Sequence, residues 1–174
     1  MNPEFSRLCR IDMLGPEPRT LTVAAEEGER TALAKRFGLV SIDSLRAEFL
    51  LARREERILA EGIVHAAVTQ SCVATGEPVE AAVEAPFRIE FRPLPAARPG
   101  EEEVELDAAE LDIAFYEGAS LDLGEAVAET LSLALDPWPR APGAEAALRA
   151  AGVKSEEEAG PFAALAALRD KLGR

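Results

Sequence analysis

The sequence predicts an α+β protein, with an antiparallel sheet of about six strands packed against an N-terminal helix, an acidic helix and C-terminal helices. Three observations lead there. From Val79 to Arg92 apolar and charged residues alternate, giving one dry and one wet strand face, as an antiparallel sheet requires. A second period-two run extends from Leu45 to Val68. Two further stretches, Ala25 to Phe37 and Asp122 to Leu135, repeat their apolar residues at helical spacing between start and stop signals. A chain of 174 residues, 48% hydrophobic and 29% charged, is expected to form one such domain over residues 1–142, followed by a helical tail, 143–174.

The elements follow in order. Phe5, Arg7, Cys9 and Ile11 alternate with Ser6, Leu8, Arg10 and Asp12, and after Gly15-Pro16-Glu17-Pro18 comes a second short strand, Thr20 to Val23. The helix that begins at Ala25 ends at Phe37, where Gly38 supplies a left-handed cap. Residues 45–61 read as a hairpin or as a helix. The hairpin is favoured because period two continues through Ile58, Ala60, Gly62, Val64, Ala66 and Val68. Pro86, on the wet side of the next strand, points to an edge or a bulge. A Pro- and charge-rich linker over Pro93 to Glu103 leads to a short strand near Leu111 to Tyr116. In the helix after Asp122 the apolar stripe is Leu123, Val127, Leu131 and Ala134, and Pro137, Pro139 and Pro142 prevent its continuation. An Ala-rich helix to about Ala151 and a last helix opened by Pro161, with Phe162, Leu165, Leu168 and Leu172 on one side, complete the chain.

Composition excludes several classes. The longest apolar run, Phe162 to Leu168, has seven residues, far short of a membrane span. Glu4, Arg7 and Arg10 interrupt any secretory apolar region, and two cysteines fit a reducing cytoplasm. Net charge is −13, distributed unevenly: residues 1–100 hold 13 basic and 15 acidic side chains, and residues 101–136 hold 12 acidic and no basic ones. That segment repels a phosphate backbone and attracts a basic protein, so DNA and membranes are not expected partners.

Few residues suit catalysis. His65 is the one histidine; on a strand, its odd separation from Cys72 sends the two side chains to opposite faces. There is no phosphate-binding Gly loop, dinucleotide fingerprint or nucleophile elbow, so neither an enzyme nor a cofactor or metal is expected. One local constellation stands out, Gln70-Ser71-Cys72-Val73-Ala74-Thr75-Gly76-Glu77-Pro78-Val79, a compact corner between two strands with Gly76 free for positive φ.

This run, Gln70-x-Cys72-Val73-x-Thr75-x-Glu77-Pro78-Val79, resembles the central motif of the YceD family, the large ribosomal RNA subunit accumulation proteins, in its alphaproteobacterial form. Glu29-Arg30-x-x-Leu33-Ala34-x-Arg36-Phe37-Gly38-Leu39 is similar to the family's N-terminal helix. Asp122-Leu123-Gly124-Glu125-x-Val127-x-Glu129-x-Leu131 is similar to its acidic helix, and Gly160-Pro161-Phe162-Ala163-x-Leu165 to its tail. The resemblance implies a bacterial cytoplasmic protein that supports accumulation of large-subunit ribosomal RNA during ribosome assembly. Relatives carry further cysteines in arrangements that suggest a metal. Here Thr75 stands where a second central cysteine would be, and Asp136 to Pro142 has none.

Two binding modes are expected from the charge pattern. In the first, a basic ribosomal protein or large-subunit assembly intermediate meets the corner residues Gln70, Cys72, Thr75, Glu77 and Pro78 and the carboxylates Glu101, Glu102, Glu103, Asp122, Glu125 and Glu129. In the second, ribosomal RNA meets a sheet face bearing Arg46, Arg53, Arg54, Arg57, Arg88 and Arg92, although Glu48, Glu55, Glu56 and Glu90 dilute its charge. A small-ligand module, with a cavity lined by Phe49, Phe87 and Phe91, is the third alternative.

Overall fold

The structure, a computed structural model, describes residues 3–94 and 112–154. The chain divides into two compact units: Met1–Gln70 with Glu80–Pro137, and Ser71–Val79 with Trp138–Arg174. The linker beyond Leu94, Glu101 to Glu103 and the helix expected after Pro161 lie outside the described residues.

The first unit opens with β1 (Leu8–Arg10), a single 3₁₀ turn (Ile11–Met13), β2 (Arg19–Ala24) and α1 (Glu27–Phe37). A long hairpin, β3 (Ser41–Arg54) and β4 (Arg57–Ser71), follows, then β5 (Pro78–Pro93), β6 (Asp112–Tyr116), β7 (Ser120–Asp122) and α2 (Leu123–Ala134). Five strands form one sheet in the order β2-β3-β4-β5-β6, and β1 and β7 form a second. The α+β class holds. The hairpin reading of residues 45–61 holds too: Arg54 faces Arg57 across a two-residue turn in which Glu55 takes a positive φ of 56°. A helix over the same residues would have scattered Leu45, Ala47, Phe49, Leu51, Ile58 and Ala60 around its circumference. As strands they all reach the core.

The sheet differs from expectation in two respects. Its last neighbour is parallel, with Ile89 opposite Asp112 and Pro93 opposite Tyr116, because the stretch between Pro93 and Asp112 is long enough for a parallel return. The two N-terminal strands do not share a partner: β1 pairs with β7, and β2 pairs with β3 from Arg19↔Leu51 to Ala24↔Arg46. The alternation from Phe5 to Ile11 yields only three strand residues. Ile11 instead donates its N–H to Ala119 O, and the Arg53 guanidinium donates to the carbonyls of Ile11 and Leu14. Pro86 meets its edge expectation, since β6 covers β5 only from Ile89 onward among the described residues.

The core of this unit lies between the sheet's dry face and the two helices. Phe5, Leu33, Ile58, Val64, Ala128 and Leu131 are fully buried. In α1 Gly38 closes the helix at φ 68°, as expected. In α2 Leu123, Val127 and Leu131 are buried, whereas Ala134, at the end of the expected stripe, is exposed.

Phe49 and Gly62 face each other in the β3–β4 ladder. A Cβ on Gly62 would lie 2.2 Å from Glu48 O and 2.5 Å from Phe49 Cβ, so this glycine is required for close approach and not for a special φ. Gly62→Ala should therefore destabilise the fold by about 2–3 kcal/mol, read as a lower thermal midpoint. The conservative core change Val64→Ala, which forces no clash, should leave β3 and β4 in register.

Candidate functional site

The corner after β4 is closed by its own backbone. In the second unit Cys72 N–H donates to Glu77 O (2.8 Å) and Gly76 N–H donates to Cys72 O (2.9 Å), with Gly76 at φ 75°. The Thr75 hydroxyl donates to the Glu77 carboxylate (3.1 Å) and accepts from Glu77 N–H (3.3 Å). Pro78 then starts β5.

This corner holds a second piece of chain. Val73 N–H donates to Pro139 O (2.9 Å), and the Cys72 Sγ accepts from Ala141 N–H (3.3 Å). Cys72, Ala141 and Ala144 form a small buried cluster with Ala74 and Val79 against it. In the first unit the buried Gln70 amide donates to Asp136 O at 2.8 Å. A buried amide needs such a partner, which explains a Gln at the end of an otherwise apolar strand face. The Cys72 thiol is brought down to about 7, foremost by the Ala141 N–H directed at its sulfur, with burial opposing it. The other thiol, Cys9, is pushed up by burial. The segment 136–141 is not among the partners that the sequence led us to expect for the corner. The buried amide of Gln70 and the alternation of prolines with Trp138 and Arg140 are the signals in the sequence that point to it.

The expected acidic residues divide by role. Asp122 carries structure: its carboxylate accepts from Ser6 Oγ (2.6 Å), Arg7 N–H (2.9 Å), Gly124 N–H (3.0 Å) and Glu125 N–H (3.3 Å), capping α2 and holding the N-terminal segment. Glu125 is bound to the Arg36 guanidinium by two hydrogen bonds, at 2.6 and 3.0 Å. Glu129 is exposed. Together with Phe115, Tyr116 and Glu117 these three line a concavity of about 490 Å³ between β6 and α2, and no Lys or Arg is among its lining residues. Glu117, which the sequence pattern does not single out, is brought here by the β6–β7 turn.

The arginines of the outer sheet are mostly committed. Arg46 lies 3.4 Å from Glu48, Arg57 3.6 Å from Glu90, Arg88 3.8 Å from Glu61 and Arg92 2.6 Å from Glu90. Arg53 is bonded to carbonyls, and Arg54 forms no ion pair among the described residues. His65 lies beside Glu84 at 3.4 Å. Phe49 and Phe91 are buried, and the Phe49 and Phe87 rings meet edge to face at 5.9 Å, so these rings pack against core and each other. Among the described residues no group of three or more His, Cys, Asp or Glu side chains is placed to hold a metal, and no helix is long and apolar enough to cross a membrane.

Fold and site thus define an α+β protein whose cysteine-bearing corner clamps the chain that leaves an acidic helix. Residues 60–169 match the family described as large ribosomal RNA subunit accumulation protein YceD, a span that takes in hairpin strand, corner and acidic helix. The chain belongs to that family, and with it to the proteins that act in the accumulation of large-subunit ribosomal RNA. No curated protein and no solved structure matches the chain.

Two tests separate structural from binding roles here. Asp122→Ala should cost about 2 kcal/mol or more in urea unfolding, because it orphans a helix cap and two N-terminal donors, whereas Glu129→Gln should be neutral within about 0.5 kcal/mol. A thiol lowered in the folded state stabilises it most above the ordinary value of 9.0 and loses that contribution as pH falls through about 7. In a Cys9→Ser background, thiolate absorbance near 240 nm should therefore rise with a midpoint close to 7. Cys72→Ala should abolish that rise and flatten the gain in stability between pH 7 and 9.

Proposed function

We propose that this protein is a non-enzymatic ribosome-assembly factor that supports large-subunit ribosomal RNA by holding a basic ribosomal protein, or a basic face of the pre-subunit, on its acidic surface. The observation that carries the reading is the groove between β6 and α2. Glu117 and Glu129 line it beside exposed Phe115, with Asp122 and Glu125 held by donors of the protein itself and no cation in the lining. Clustered like charges beside an aromatic side chain suit a Lys- and Arg-bearing partner: the field raises the rate of encounter, and ion pairing keeps those cations from premature RNA contacts. Glu101, Glu102 and Glu103 belong to the same proposal by sequence, and cytoplasmic action goes with it.

Direct RNA binding by the arginine face is the weaker reading. Four of its six arginines already sit beside glutamates on the same sheet, and a cation spent on a carboxylate releases fewer phosphate counterions.

Purified large-subunit proteins, mixed with the immobilised chain after nuclease treatment, test the proposal. One basic protein should be retained at low salt and lost at high salt. A Glu117→Gln, Glu129→Gln double variant should retain at least fivefold less of it, and extending the change to Glu101, Glu102 and Glu103 should weaken retention further. Equal retention by all forms, or recovery of RNA alone in an untreated extract, would overturn the reading.

A further inference from the structure

The strand β6 stands last in the five-stranded sheet, so one of its two edges has no neighbouring strand among the described residues. Leu94 N–H donates to Tyr116 O at 3.0 Å, and that bond fixes which way the backbone of β6 faces. Along a strand the N–H and C=O of one residue share a side, and those of the next residue point to the other. In the parallel register from Ile89↔Asp112 to Pro93↔Tyr116, Asp112, Ala114 and Tyr116 therefore turn their peptide groups towards β5. Ile113 and Phe115 turn theirs outward, and these two donors and two acceptors have no partner among the described residues.

The concavity between β6 and α2 lies along this edge. Ile113, Ala114, Phe115 and Tyr116 all line it. Consecutive side chains of a strand point to opposite faces, so a hollow over one face would touch every second residue, and one that meets all four runs round the edge. Sheets commonly protect an edge with Lys, Pro or a bulge. Asp112-Ile113-Ala114-Phe115-Tyr116 has no Lys and no Pro, and its register with β5 is unbroken. Charge narrows the occupant. Glu117 and Glu129 line the hollow without a hydrogen bond among the described residues, and no cation is in the lining. A second copy of β6 would bring Asp112 and the same glutamates against like charges, and RNA has the wrong sign and no peptide groups to pair.

We propose that the outer edge of β6 takes up an extended basic segment of the partner protein as an added strand, paired through the peptide groups of Ile113 and Phe115. The inference rests on the reading of the acidic groove given above and adds to it the mode of binding and the sequence pattern that is recognised. Lys or Arg residues alternate with apolar ones along that segment: the cations face α2, where Glu129 stands, and the apolar side chains lie beside Phe115, which is 55% exposed. The five residues of β6 span about 16 Å at roughly 3.3 Å each, so a segment of about five to seven residues suffices.

The probe is the peptide acetyl-Lys-Val-Lys-Val-Lys-Val-Lys-amide, added to the intact protein at low salt. Its binding should slow amide hydrogen exchange at Ile113 and Phe115 about tenfold and leave Ala114 and Tyr116, already turned to β5, unchanged. Two further forms of the probe, N-methylated on the valines or on the lysines, keep the full charge and leave the protein unaltered. A strand added at an edge uses the peptide groups of one side only, so one form should bind about tenfold more weakly and the other about as well as the parent. Glu117→Gln with Glu129→Gln should weaken the parent probe about fivefold. The proposal is overturned if no form binds, if single-stranded RNA protects the same amides, or if Ile113 and Phe115 already exchange slowly in the free protein, which would mean an edge covered by this chain or by a second copy. Equal binding by all three forms, with a basic large-subunit protein still retained, would overturn strand addition alone and leave the charge reading of the groove. Binding with the expected exchange pattern, but no retention of any basic large-subunit protein, would overturn the functional reading and leave the edge site.

Discussion

The first unit depends on one carboxylate. Asp122 caps α2 through Gly124 and Glu125 and in the same place receives Ser6 and Arg7, so the start of the chain is tied to a helix that begins more than a hundred residues later. Around it the contacts are close. Leu123 donates its N–H to Arg7 O, a Cβ on Gly124 would meet Phe5 O at 2.7 Å, and Phe5 is fully buried. The Arg7 guanidinium reaches onward to both oxygens of Glu29 in α1 and to Ala24 O at the end of β2. Two helices and a strand end are thereby held by residues 5–7, through charge-assisted bonds that are stronger than neutral ones when partly shielded from water. Glu29 is held below the usual carboxylate range mainly by its bond to Arg7.

That arrangement decides what the acidic helix has left to offer. A carboxylate that accepts four hydrogen bonds is not available to a partner, and one bonded twice to Arg36 is partly neutralised; Glu117 and Glu129 carry no such bonds among the described residues. Acid content along the sequence therefore overstates the usable negative surface. The arginines are subject to the same principle. On the outer sheet four of them sit beside glutamates, Arg46 and Arg92 within their own strand and Arg57 and Arg88 across neighbouring strands, which leaves little net field. Among the described residues Arg54, on the same sheet, forms no ion pair.

The corner shows how a short polar motif acts at a distance. Gln70, Cys72 and Val73 each bond to a backbone atom of residues 136–141. Their effect is to set the conformation of the chain that leaves α2, where prolines already exclude a helix. Thr75 and Glu77 close the turn behind them. The motif is thus a clamp built from hydrogen bonds and a small apolar cluster, and its thiol is tuned by the same N–H that it restrains.

Much of this was legible in the sequence because it rests on local rules. Period-two runs placed β3, β4 and β5 with the right face inward, since neighbouring side chains of a strand must point to opposite sides, and Gly38, Asp122 and Pro137 mark helix ends for reasons internal to a few residues. Family membership was legible too, because the motif from Gln70 to Val79 is contiguous. What local rules do not contain is which distant element a side chain meets. The parallel seating of β6, the pairing of β1 with β7, the use of Asp122 as an anchor for the N-terminal segment, and the grip of Cys72 on Ala141 each join residues separated by about 20 to more than 100 positions. Pattern and composition determined the elements, their buried faces and the sign of the charge. Tertiary structure alone decided which charges are consumed and which remain for a partner, because an ion pair or a cap exists only once two distant parts of the chain have been brought within hydrogen-bonding reach.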